Sequence, residues 1–133
     1  MPRSSALFTP RPVSGDDVVA AARAVWARAD AGAEPLALRS FDDGAVLQVS
    51  AGDDVLVSVL RPRVLPRLDE VSRLWPGADV HGLPTPAFWT EAYTPWDAAG
   101  RVGVAVLDAL VAAMGGTALH DALHDTLHDR APG

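Results

Sequence analysis

Between Pro35 and Leu60 the chain reads PLALRSF, AVLQVSA and VLVSVL, three short apolar-rich runs separated by Asp42-Asp43-Gly44 and Gly52-Asp53-Asp54. Short runs bounded by turn-forming clusters are strands, and connections this tight leave neighbouring strands only antiparallel pairing. A three-stranded meander is therefore predicted, and the rest of the chain must fold around it. If Ala51 faces Val55 across the second turn, then Leu47, Val49, Ala51, Val55, Val57 and Val59 make one apolar face for the core. Leu36 and Leu38 join that face if the first turn takes an odd register, which a bulge at Gly44 supplies. Arg39, Gln48, Ser50 and Ser58 then share the opposite face with Phe41, Val46, Leu56 and Leu60. That mixture is too apolar for plain solvent exposure and too polar for a dry core.

Helix signals flank the meander. Ser14 with Asp17 three places on reads as a capping box, and Val18, Ala22, Val25, Trp26 and Ala29 follow at helical spacing up to Gly32. After the third strand, Leu68, Val71, Leu74 and Trp75 fit a short helix ended by Pro76-Gly77. AFWTEAYT, residues 87–94, reads as a fourth strand with Trp89, Glu91 and Tyr93 on one face and Phe88, Thr90 and Ala92 on the other. Thr94-Pro95-Trp96-Asp97 then supplies a cap, a first-turn proline and an acid for a helix to Met114, closed by Gly115-Gly116. The expected order is α-βββ-α-β-α, an α+β fold. Residues 1–13 are expected as a flexible arm, 14–116 as one domain, and 117–133 as a helical or partly disordered His/Asp-rich tail.

Composition narrows the chemistry. The 133 residues include no Cys, Lys, Asn or Ile, and about half of them are apolar, a bias expected of a high-GC bacterial genome. Without Cys there is no disulfide, thiolate nucleophile or cysteine zinc site, and without Lys no Schiff base or phosphate-loop lysine. A net charge of −6 argues against nucleic acid and anionic membrane as partners and favours a basic protein surface. No apolar run reaches the length of a bilayer span and no secretory signal is evident, so the expected location is the cytoplasm.

Each candidate site also has a plain structural role. His120, His124 and His128 recur every four residues in TALHDALHDTLHDR, yet paired imidazoles without a third fixed ligand make a weak metal site, and no metal or cofactor is expected. Asp121 with His124, and Asp125 with His128, instead form supportive helical pairs, with Leu119, Leu123 and Leu127 docking on the body. Asp42-Asp43 and Asp53-Asp54 lie at opposite ends of a meander, about 15 to 20 Å apart, so turn chemistry accounts for them better than paired carboxylate catalysis. Arg61, Arg63, Arg67 and Arg73 read as a solvated basic edge, or as partners of Asp69 and Glu70. His81, Glu91 and Asp97 are the acid-base candidates, but no motif places them, and catalysis is not the expected role.

The order of elements across residues 14 to 114 is similar to that of small secretion-chaperone and YbjN-type folds, a resemblance in topology alone that carries no functional residues. The expected function is that of a small acidic protein-binding module, chaperone-like or immunity-like. Its expected contact residues are Trp89, Glu91, Tyr93, Arg39, Gln48 and Ser58. The rival is a small-molecule sensor or enzyme with a closed pocket built on Glu91 and Arg39. From Val102 to Met114 only Asp108 is charged, so the last helix calls for burial on two sides, by the tail, by a homodimer partner or by another protein.

Overall fold

A computed structural model describes residues 2–28 and 35–120. In chain order these form β1 (Arg3–Thr9), α1 (Gly15–Arg28), β2 (Leu36–Phe41), β3 (Val46–Ala51), β4 (Asp54–Leu60), β5 (Arg63–Leu65), α2 (Asp69–Leu74), β6 (Ala87–Thr94), α3 (Ala98–Met114) and β7 (Thr117–His120). All seven strands join one antiparallel sheet in the order β2-β3-β4-β6-β1-β7, with β5 also on β6. The fold is α+β, as the meander required.

Two segments differ from expectation. The predicted N-terminal arm contains β1, a central strand between β6 and β7 in which Ser5 through Thr9 are all buried. Ala6, Leu7 and Phe8 serve cores on both sides of the sheet, so this strand shows none of the alternation that marks a half-exposed one. The start of the predicted tail is β7 rather than helix: Thr117 to His120 pair with Phe8 to Ser5, and Leu119 docks on the body as expected. The folded unit therefore extends beyond 14–116 to both strands. The expected ends of the first helix at Ala29 and Gly32, and the pairs involving His124 and His128, lie outside the described residues.

Helices α1 and α3 pack together on one face of the sheet, over Leu7, Val49, Val57, Val59 and Ala92. Leu36 and Leu38 pair with Ala51 and Val49, which puts them on that face. The register comes from a loop in which Asp42, Asp43 and Gly44 all have positive φ, of 52°, 54° and 86°, a conformation Asp tolerates better than most residues. At the second turn Ala51 pairs with Asp54, not Val55, and the pairing slips between Val49 and Ser50, leaving Leu56 as an extra residue on β4. That bulge keeps Val57 and Val59 on the helix side despite the tighter turn.

The α1 capping box forms as read. Ser14 N–H donates to Asp17 Oδ2 at 3.0 Å and Asp17 N–H to Ser14 Oγ at 3.2 Å, while Arg11 grips the carboxylate with both guanidinium nitrogens. At α3 the cap is Asp97, whose Oδ1 accepts from Gly100 N–H at 3.1 Å; Thr94, expected in that role, ends β6 instead. The sheet and α1 bury Val106, Leu107, Leu110, Val111 and Met114, while the exposed α3 positions are alanines with Arg101 and Asp108. The second layer that this helix demanded is thus supplied in large part by α1. No helix among the described residues is long and apolar enough to cross a membrane.

Candidate functional site

The face opposite α1 and α3 is covered over only half its width. There, α2 and the segment following it lay Val71, Trp75, Val80 and Leu83 over Ala6, Phe8, Leu65 and Ala87, closing a second small core. No element among the described residues covers that face of β2, β3 and β4.

Strand pairing builds the open half row by row. Arg39 pairs with Gln48, Gln48 with Ser58, Ser58 with Tyr93 and Tyr93 with Ser4, a polar row across five strands. Gln48 Nε2 donates to Ser58 Oγ at 3.4 Å within it. The next row toward α2 is apolar: Phe41 pairs with Val46 and Val46 with Leu60, with Glu91 facing Ala6 farther along. Beyond it, Arg63 pairs with Trp89 and Trp89 with Phe8. All six expected contact residues, Arg39, Gln48, Ser58, Trp89, Glu91 and Tyr93, therefore lie on one face of one sheet.

A register break shapes this face. Val59 pairs with Ala92 and Arg63 with Trp89, so four steps along β4 and β5 match three along β6. The extra residue falls at Arg61-Pro62, where proline cannot donate to the ladder. A cleft of about 290 Å³ opens there, lined by Leu60, Arg61, Pro62, Arg63, Trp89 and Glu91 with Ala45 and Val46 at its end. A second cleft of about 190 Å³ adjoins it across Trp89 and Glu91, walled by Trp75 and Tyr93 and floored by Ser4 to Ala6. Arg63, Pro62 and Trp75 are not among the expected contact residues. The RPR triplet at the end of a strand was the available signal for the first two, since proline between paired positions marks a bulge.

Local electrostatics distinguish the side chains. Tyr93 Oη donates to Glu91 Oε2 at 3.0 Å, and burial first, then the Glu91 carboxylate, holds the phenol above its ordinary range. The Arg63 guanidinium lies 5.0 Å from the Trp89 ring centroid, a cation-π contact. Trp89 Nε1–H is buried without an acceptor. Arg67 and Arg73 pair with Asp69 and Glu70, as one of the expected readings had it, and Arg61 donates to the Asp43 carbonyl.

Arg39 and Glu91 do not converge on one pocket. β3 and β4 lie between their strands, a separation of about 14 Å at ordinary strand spacing, and Arg39 lines neither cleft. Both clefts are partly open to solvent.

A serine-histidine-aspartate line lies elsewhere. Ser5 Oγ is 2.8 Å from His120 Nδ1, and His120 Nε2 is 2.6 Å from Asp108 Oδ1. Ser5 pairs with Ala92, whose side chain belongs to the helix-side core, so its hydroxyl points away from the clefts. Ser5 is 3% exposed. A nucleophile needs room for a carbonyl at its oxygen and donors for the developing oxyanion, and this hydroxyl is enclosed between β7 and α3. The line acts as a clamp. Among the described residues no cluster of three or more His, Asp or Glu could hold a metal ion.

No family model, no curated protein and no solved structure matches the chain.

Proposed function

We propose that this chain is a small protein-binding module, chaperone-like or immunity-like in its mode of action, and that the open half of its sheet is the contact surface. The observation that carries the reading is that surface itself. Phe41 is exposed and Val46, Leu60, Trp89 and Tyr93 are half-buried on this face, with Glu91 between the two β6 aromatics and Arg39, Arg61 and Arg63 around them. Exposed apolar area with a charged rim, with tryptophan, tyrosine and arginine prominent in it, is the composition of protein interfaces. The small-molecule reading calls for polar groups that converge on one pocket, and Arg39 lines neither cleft at Glu91.

The test places a photocrosslinking residue at Gln48 or Ser58 and exposes the chain to extract of its source cell. One protein species crosslinked at these positions, and not from Ala112 on α3, is the expected result. Tyr93→Ala should abolish it while the chain stays folded by circular dichroism. Crosslinking that is equal from Ala112, or unaffected by the substitution, would overturn the reading.

A homodimer is the second reading. The edge strand β2 leaves Leu38 and Phe41 each 43% exposed, and an unpaired edge can add a strand from a second copy. Sedimentation at micromolar concentration should then show a dimer that Leu38→Lys dissociates.

A further inference from the structure

The smaller cleft lies at the seam where the α2 layer ends and the open face begins. Its walls pack against one another. Trp75 meets Trp89 at 4.7 Å between ring centroids with the planes 55° apart, and Trp75 also sits edge-on to Phe8 at 5.4 Å. Tyr93 closes the other side, with its hydroxyl on one oxygen of Glu91. No arginine or histidine forms an ion pair with Glu91 among the described residues. Arg63, in the neighbouring cleft, stacks on Trp89 instead. A half-buried carboxylate that forms no ion pair, in a cleft walled by three aromatic side chains, favours a positive charge and opposes an anion.

We propose that this cleft takes an alkylammonium cation, and that the cation is a lysine side chain of the protein that docks on the open face. The proposal rests on the protein-binding reading above. Its volume of about 190 Å³ suits one ammonium head with its methylene stem, the stem lying along the indole rings. The open face is otherwise rimmed by Arg39, Arg61 and Arg63, so Glu91 is where a positive side chain of the partner is matched.

The probes are Nα-acetyl-lysine N-methylamide and n-butylammonium chloride, titrated into the full chain while the tryptophan indole NMR signals are followed. The signals of Trp75 and Trp89 should move, and those of Trp26 and Trp96 should not. Glu91→Gln should weaken acetyl-lysine binding by about tenfold or more, through loss of the carboxylate charge. Tyr93→Phe, which frees Glu91 to turn, provides a second variant should Glu91→Gln fold poorly, and it should weaken binding by about two- to fivefold. Arg63→Gln removes a like charge next door and should strengthen it. Absence of indole shifts, or equal binding by Glu91→Gln and the parent, would overturn the proposal even if the open face captures a protein. If n-butylammonium binds as well as acetyl-lysine and no protein crosslinks to the face, the cleft serves a free amine and the assignment to a partner lysine is wrong.

Discussion

The Asp108 carboxylate on α3 and the His120 imidazole on β7 meet at 2.6 Å, and the other ring nitrogen of His120 lies 2.8 Å from the Ser5 hydroxyl on β1. One imidazole thus ties two strands to a helix that follows neither of them directly. A neutral ring protonated at Nε2 satisfies every group: it donates to the carboxylate and accepts from the hydroxyl. Removing the ring by His120→Ala leaves the enclosed Ser5 hydroxyl without a partner, and should cost about 1 to 3 kcal/mol. Asp108 is different. Its side chain is 60% exposed, so Asp108→Ala should cost less than about 1 kcal/mol. Urea unfolding of the two variants checks the ranking, and an equal loss from both would show that the buried end of the line is not what holds β7 in place.

Asp17 makes stability depend on acid. The Arg11 guanidinium holds its carboxyl well below the usual carboxylate range; burial opposes this, and the Ser14 N–H and hydroxyl assist it. A folded pKa below the unfolded value of about 3.9 gives a contribution fully present above that value, and lost as pH falls through the folded one. Asp17→Asn should therefore cost about 1 to 2 kcal/mol at pH 7 by weakening cap and charge together. The gap between parent and variant should narrow between about pH 4 and pH 2.5. Denaturation at the two ends of that range measures it, and a gap that stays constant would mean the cap works through geometry alone.

Gly103 lets α3 lie against the sheet. A β-carbon there would overlap the carbonyl oxygen of Leu56, the bulged residue of β4, and crowd the Thr94 methyl at 2.9 Å. Alanine is ordinarily better than glycine inside a helix by about 1 kcal/mol. Here the sign should reverse, with Gly103→Ala losing about 3 kcal/mol or failing to fold, because backbone rather than a flexible side chain is in the way. Ala105→Gly, at an exposed position of the same helix, should cost only the propensity difference of about 1 kcal/mol. Thermal melts of both variants decide it.

The parts of the fold legible in the sequence are those whose signals are local. The meander, the β6 alternation and the Ser14-Asp17 box depend on neighbours within a few positions, and each stands where the spacing puts it, except that the β4 bulge pairs Val55 with Ser50 and moves Leu56, expected on the opposite face, into the helix-side core. β1 does not, because a strand buried on both faces has no period, and Ser4, Ser5 and Thr9 lower its apolar content while Pro2 and Pro10 resemble loop signals. β7 depends on β1, so missing one hid the other. The candidate face was legible in pieces: the Arg39-Gln48-Ser58 row came from the meander and Trp89-Glu91-Tyr93 from β6. Their union rests on Ser58 pairing with Tyr93, a β4–β6 contact that no local pattern encodes. Trp75 reaches the cleft from the end of α2 by the same kind of long-range packing.

Tyr93 offers a direct reading of the cleft, because it is the only tyrosine in the chain and its ionisation can be followed alone by ultraviolet absorbance. Burial and then the neighbouring Glu91 carboxylate both penalise the phenolate, while the Arg63 charge opposes them. The folded phenol should thus titrate above the unfolded value of about 10. By linkage, its contribution to stability is complete below the unfolded value and lost as pH rises through the folded one. Glu91→Gln removes the carboxylate charge but leaves the burial, so the midpoint should move part of the way down. Arg63→Gln takes away the one opposing charge and should move it up. The two variants thus shift one absorbance curve in opposite directions. Curves that coincide would mean that burial alone sets the phenol, and that Glu91 and Arg63 do not act on the ring that walls the cleft.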